Sequence, residues 1–373
     1  MGAQCKLQGT DTPLAERLRA RIAREGPISV ADYMEACLAD ARAGYYRTRQ
    51  PIGGAGDFIT APEISQIFGE LLGLWAVAVW QAMGESSRVI VAELGPGRGT
   101  LMADAIRAWR SVPKFLDSVT MALVETSPSL REMQREALRG SPAPLHWHDS
   151  IEDVPQGPLI IIANEFIDAL PVRQFGREDS IWRERCVTVG PSGNLAFTLG
   201  KAIKDDDQPE AARELDAPDG AIFESRPAVA SLLETLAARA ARAPFAALFI
   251  DYGHEQSGFG DTLQAVSRHK FADPLAAPGE TDLTAHVDFA EMKREVARLG
   301  LDTYGPMPQG EFLLKLGLEA RRGRLLRGAR SDQTDAIVSG AARLASPSAM
   351  GVLFKVLALG SSGLASPPPF GEI

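Results

Sequence analysis

Apolar residues along this chain alternate between helical spacing and short unbroken runs. Leu14, Leu18 and Ile22 recur at the interval of one helix face, and Ser29 with Asp32 makes a capping-box start for a second helix carrying Met34, Cys37, Leu38 and Ala41. Residues 44–56, GYYRTRQPIGGAG, are dense in glycine, proline and aromatic side chains, which predicts a loop that approaches a partner or ligand. Ile64, Ile67, Phe68, Leu71, Leu72, Trp75 and Val79 then predict one helix with a broad buried face. From Arg88 the texture changes: RVIVAEL, TLMADAIRAWR, SVTMALVE, SLREMQREALR and PLIIIANEF alternate strand-like runs with helices, the pattern of a parallel sheet with crossover helices. Residues 181–200 predict a β-hairpin turning at Pro191 to Asn194, and the polar stretch 204–220 an exposed excursion. Further on come a helix near 226–242, a strand at PFAALFID, a helix at 287–299, helices within 311–343 and a closing strand in GVLFKVLAL that forms a hairpin-like pair with LDTYGPM. The expected division is a helical N-terminal segment over 1–86, an α/β Rossmann-like domain over 87–360 with an insertion at about 176–244, and a tail over 361–373.

Composition narrows the options. A chain of 373 residues, 45% hydrophobic, is long enough for one large domain with additions or for two domains. Its 39 basic against 48 acidic residues leave −9, which argues against nucleic acid as a partner, because phosphate neutralisation needs clustered positive charge. Cys5, Cys37 and Cys186 stand alone with no Cys-x-x-Cys, so neither a disulfide framework nor a metal site is expected, and a reducing compartment is. No uninterrupted apolar stretch suggests membrane insertion, and the start MGAQCKLQGT lacks a secretory core, so a soluble, cytoplasmic protein is expected. Arg17, Arg19, Arg21 and Arg24 raise the alternative of an organellar presequence; Asp11, Glu16 and Glu25 among them favour an ordinary surface helix.

The chemistry concentrates in Val89-Ile-Val-Ala-Glu93-Leu-Gly95-Pro-Gly97-Arg-Gly99-Thr-Leu, a buried strand ending in a glycine-rich turn that opens a helix. Glycines permit the tight turn and let a ligand reach the backbone beside the free N–H groups of a helix start. Dinucleotide enzymes use Gly-x-Gly-x-x-Gly there; here the third glycine comes one residue early, and Gly-x-Gly-x-Gly resembles the version found in class I methyltransferases. In that version the acid two residues before the first glycine, Glu93, helps to position the methionyl end of S-adenosyl-L-methionine. Glu125 ends the next apolar run, where a carboxylate can accept hydrogen bonds from both ribose hydroxyls; the alternative is an exposed glutamate opening the following helix. His148-Asp149-Ser150 follows the next short strand, either contacting adenine through Asp149 and Ser150 or forming a polar turn. After the run Leu159 to Ala163, Asn164-Glu165-Phe166-Ile167-Asp168 places polar groups at the ligand edge of the sheet, unless Asn164 and Glu165 merely cap a helix. Methyl transfer from a sulfonium asks the protein for orientation and field, and Glu165 with Asp168 would suit a guanidinium.

Taken in order, several blocks resemble the MidA family, whose eukaryotic members are mitochondrial respiratory complex I assembly factors. They are GDFITAPEIS at 56–65 with Phe68-Gly69-Glu70, ELGPGRGTLMAD at 93–104, ANEFIDALPVRQF at 163–175, IDYGH at 250–254 and DPLAAPGETDLTAHVDF at 273–289. The resemblance implies a Rossmann-like S-adenosyl-L-methionine-dependent methyltransferase acting on an arginine of a protein partner, a complex I subunit or a bacterial counterpart. It implies a mitochondrial matrix location for a eukaryotic source, and leaves a homodimer open. By position, Asp57, Phe58, Thr60 and Glu63 would fold over the cofactor, while Glu93, Gly95, Gly97, Gly99, Glu125 and Asn164 would hold it. Tyr252 and His254 would face the cleft, His254 either accepting a proton or acting as a structural hydrogen-bonder. Relatives commonly carry serine where this chain has Ala61, which removes a hydroxyl. Two rivals keep the same turn: a nicotinamide-dependent oxidoreductase and a non-catalytic assembly factor that retains the pocket.

Overall fold

A computed structural model describes residues 12–48, 59–204, 208, 212–213, 216–267 and 270–371. Asp57 and Phe58, Cys5, the glycine-rich part of 49–56 and much of the 204–220 excursion lie outside the described residues.

Two compact units emerge, each drawn from three stretches: residues 1–58, 169–228 and 257–286 in one, and 59–168, 229–256 and 287–373 in the other. This grouping crosses the linear division expected from the sequence, because segments far apart in the chain pair into common sheets.

The second unit holds the sheet that the alternating runs predict. Its strands are β1 (Val89–Leu94), β2 (Val119–Val124), β3 (Leu145–His148), β4 (Leu159–Asn164), β5 (Phe245–His254), β6 (Asp302–Pro308) and β7 (Phe354–Gly360). They lie in the order β6-β7-β5-β4-β1-β2-β3, and the short strand Val287–Asp288 adds to the end of β5. β5, β4, β1, β2 and β3 run parallel, whereas β7 is antiparallel to both β5 and β6. All six residues of β4 are buried, as expected of a central strand covered on both faces. Sequence order reverses between β1 and β4, so the crevice outside their carboxyl ends is where such a sheet binds ligands.

Helix Gln66–Ala82 packs its apolar face on this sheet with Ile67, Phe68, Leu71, Leu72, Trp75 and Val79 buried. The single helix expected through Ile64 is two: Ala61–Ile64 ends at Ser65, which is extended (φ −159°, ψ 132°) and whose hydroxyl accepts from Ile67 N to start the longer helix. Trp80 and Trp109 meet Phe115 edge to face at 5.3 and 5.2 Å, each contact worth about 0.5–1.5 kcal/mol beyond burial.

Segment Ser331–Leu353 has the length and mean hydropathy (1.2) of a membrane span, although no unbroken apolar run marks it in the sequence. Its regular helix stops at Ala345, Ser346 is extended, and Gly340, Ala341 and Leu344 are buried, the latter two in the core with Phe312 and Leu313. As packed here it is an interrupted surface helix with one apolar side.

The first unit is largely antiparallel. Ile181–Val189 and Leu195–Ala202 form the expected hairpin, turning where Gly190 N donates to Asn194 O. Arg173–Glu178, Ile222–Ser225 and Ile28–Ser29 complete that sheet, and Gln264–Ser267, Lys270–Ala272 and Asp282–Thr284 form a second. Helix Pro13–Glu25 buries Leu14, Leu18 and Ile22, so the arginine-bearing N-terminal stretch is a packed amphipathic helix. Residues Tyr45–Thr48 make one helical turn where a loop was expected; Tyr45 is fully buried.

Candidate active site

β1 delivers Glu93 to the sheet's carboxyl edge, and the chain then turns through Gly95, Gly97 and Gly99 at φ of +64°, +52° and +82°. L side chains rarely tolerate such values, which explains three glycines in five residues. Gly95 N donates to Val124 O, and Gly99 N to Pro96 O, before helix Thr100–Trp109 begins. Glu63, at the end of helix Ala61–Ile64, reaches this turn: it accepts from the Thr100 hydroxyl and lies 3.4 Å from Arg98 Nη1. Thr60 is the extended residue that starts the same short helix, its carbonyl accepting from Glu63 N.

Glu93 is 3% exposed, and burial pushes its carboxyl up to about 8. Its Oε2 has no hydrogen-bond partner among the described residues; neither has the buried Oδ1 of Asn164 across the switch point. Buried acceptors without donors are rare in native proteins, and two beside one glycine turn fit a ligand that brings positive charge and N–H groups. The amino-acid end of S-adenosyl-L-methionine is such a ligand.

Glu125 is buried at the end of β2, which favours the ligand role over an exposed helix start. Its Oε1 accepts from Ser127 N (2.7 Å) and its Oε2 from Gln134 Nε2 (3.3 Å). Burial raises its pKa, and these donors oppose the rise. Gln134 was not foreseen. Fully buried on helix Pro128–Ala137, its amide nitrogen also donates to Gly97 O (2.8 Å), and its oxygen accepts from Trp147 Nε1 (2.8 Å). One amide thus ties the glycine turn, the β2 acid and β3 together. Arg131 does likewise through Glu125 O and His148 O. It also pairs with Asp149 at 2.7 Å, while Ser150 binds Asp153 through both its N–H and its hydroxyl. Asp149 and Ser150 therefore form a polar turn with partners of their own.

On the other side of the switch point β4 runs into Glu165, held at φ +49°, a left-handed conformation costing about 1–3 kcal/mol for a residue with a side chain. Asn164 and Glu165 cap no helix; the chain through Asp168 is irregular. Glu165 Oε1 accepts from Ala61 N and Asn164 Nδ2, both at 3.1 Å. Position 61 thus serves through its backbone, and alanine suffices there. Asp168 is 5% exposed, and Asp251, 1% exposed, stands beside it at the end of β5. Burial and then Asp168 raise the Glu165 carboxyl to about 7; burial, Asp168 and Glu165 hold Asp251 well above the usual carboxylate range. Three crowded carboxyls make a trap for a cation.

His254 falls outside this cluster. Side chains alternate along a strand, so His254 and Tyr252 point to the face opposite Asp251. His254 Nε2 lies 3.7 Å from Asp288, and Tyr252 meets Phe354 edge to face. Among the described residues no cluster of histidine, cysteine or acids could hold a metal.

A parallel sheet with a glycine turn at its switch point and an acid closing each of the first two strands defines a nucleoside-cofactor transferase of the Rossmann-like class. Residues 71–307 match the profile of a family described as S-adenosyl-L-methionine-dependent methyltransferase. The chain is 38% identical to a Drosophila melanogaster protein named protein arginine methyltransferase NDUFAF7 homolog, mitochondrial, over 96% of this chain and 87% of that one. It is 36% identical to the human protein arginine methyltransferase NDUFAF7, mitochondrial, over 93% and 83%. A Burkholderia thailandensis protein crystallised with S-adenosyl-homocysteine superposes with a TM-score of 0.81 at 30% identity, covering 95% of this chain and 92% of its own. The chain belongs to the S-adenosyl-L-methionine-dependent methyltransferase family, and that is its cofactor. The nicotinamide alternative falls with this assignment.

Proposed function

We propose that this methyltransferase modifies an arginine side chain of a protein partner, a respiratory complex I subunit or its bacterial counterpart. The observation that carries the reading is the acidic cluster Glu165, Asp168 and Asp251 at the switch point beside the glycine turn. A guanidinium is permanently charged and planar, and it offsets the repulsion among acids that otherwise hold protons. The names of the fruit-fly and human relatives support the same acceptor.

The bound cofactor supplies an electrophilic methyl on sulfur. Glu93 and Asn164 would offer their unpartnered oxygens to its amino-acid end, the backbone of Gly95, Gly97 and Gly99 would give it room, and Glu125 would accept from its ribose. Glu165 is gripped through Oε1, and Oε2 would take one N–H of the guanidinium. Holding acceptor nitrogen and methyl in line accounts for much of the rate, since orientation alone can contribute about 7–11 kcal/mol. The carboxylates also stabilise the second positive charge that the methyl brings to the guanidinium, until one N–H proton passes to Glu165 and leaves the methylated group singly charged.

The test is to incubate the purified protein with labelled methyl donor and a lysate from cells lacking it, then sequence the labelled peptide. Label on an arginine is expected; label on another residue type overturns the arginine assignment, and cofactor binding without label favours a non-catalytic assembly factor.

A further inference from the structure

We infer that Asp251 is a positioning residue of the acceptor site: its carboxylate fastens the turn from Glu165 to Asp168 onto the end of β5 and so fixes where Glu165 presents its charge. The inference rests on the acceptor-site reading above. Beyond β4 the chain forms no helix, so the N–H groups of Ile167 and Asp168 need partners from elsewhere. Asp251 Oδ2 accepts both, at 3.0 and 3.1 Å, while Oδ1 accepts from Tyr252 N at 2.9 Å. Glu165 N donates to Ile250 O, so the turn is pinned to β5 immediately before and at Asp251. As a purely structural clasp an aspartate is a poor choice. It adds a third acid to a buried pair, and like charges at close range repel. Its presence makes sense where a cation completes the set.

Asp251→Asn discriminates, because both carboxylate oxygens face N–H donors and whichever becomes the amide nitrogen breaks one side of the clasp. With the protein saturated by S-adenosyl-homocysteine, amide hydrogen exchange should quicken on the side that the amide nitrogen faces, within residues 166–169 or at Tyr252, and stay unchanged in the rest of the sheet. Affinity for S-adenosyl-homocysteine should hold within about twofold, while kcat for methyl transfer drops roughly 100-fold, the cost of a slight misplacement. Because Asp251 acts through Glu165, the double variant with Glu165→Gln should be no slower than Glu165→Gln alone. Losses that multiply, exchange that is unchanged or rises everywhere, or a parallel loss of S-adenosyl-homocysteine affinity would each overturn the inference. Should the amide variant fail to fold, Asp251→Glu keeps the charge, shifts the anchor by one methylene and supports the same comparisons. If the wild-type protein methylates something other than arginine, the acceptor assignment fails while exchange and the double variant still judge Asp251. If no acceptor is found, exchange and S-adenosyl-homocysteine affinity decide it alone.

Discussion

Glu93 and Glu125 sit on neighbouring strands, each buried, each with its own surroundings: one lacks a partner for Oε2, the other is gripped by a backbone N–H and by Gln134. Across the switch point Glu165, Asp168 and Asp251 share one neighbourhood: beyond burial, Asp168 raises the Glu165 carboxyl, and Asp168 with Glu165 raises that of Asp251. On the proposed reading the cofactor side works by shape, with backbone conformation making room and single acids marking the ends of the ligand, and the acceptor side works by field, storing repulsion that an incoming cation would relieve. Binding one ligand and turning over the other should thus respond to different substitutions.

Glu165→Gln should separate the sides most strongly. It preserves size and removes charge, so kcat/KM should fall by about 2–5 kcal/mol, roughly 30-fold to several thousandfold, with S-adenosyl-homocysteine affinity unchanged by calorimetry. Loss of both together would erase the distinction. Gly97→Val addresses the other side: at φ +52° a β-branched residue adds strain and bulk where the cofactor approaches. Affinity for S-adenosyl-homocysteine should drop by about 1–3 kcal/mol, up to roughly 100-fold, with circular dichroism showing a folded protein; unchanged affinity would remove the turn from the site.

Per pH unit, the smallest effect comes from titrating Glu93. The Glu93 carboxyl of the free folded protein titrates near 8, above its ordinary 4.5, so between these values the folded state holds a proton that the unfolded state has lost. Stability of the free protein should therefore decline as pH rises through that window, and Glu93→Gln should flatten the decline in urea titrations. Pairing with the cofactor's ammonium needs the ionised form, so affinity should rise by up to about tenfold per pH unit below 8. A pH-independent affinity would mean that Glu93 does not meet the charged end.

Local features explain what could be read from the chain. The strand-helix rhythm, the turn at Gly95, Gly97 and Gly99 and the 181–200 hairpin each depend on neighbours in sequence, and the structure has each of these elements. Gln134 and Asp251 escaped because their work is done across distance. Gln134 reaches back to Gly97, and Asp251 binds peptide N–H groups that leave no side-chain pattern to detect. The sequence leaves His254 between proton acceptor and structural hydrogen-bonder, and its neighbour Asp288, 3.7 Å away, lies well further along the chain, where no pattern signals the pairing. Asp149 meets Arg131 from the preceding helix and Ser150 bonds Asp153 three residues on, partners that the short polar run does not announce. The break at Ser65 was invisible to periodicity, since one extended residue hardly disturbs the spacing of apolar positions.

The position of β7 bears on synthesis. It joins the sheet between β5 and β6 but follows every other described strand in the chain, and so leaves the ribosome after them. Until it arrives, β5 has a bare flank of N–H and C=O groups, the kind of edge that recruits stray strands. A nascent chain already carrying the glycine turn and all three acids must therefore stay shielded until that late segment slots in.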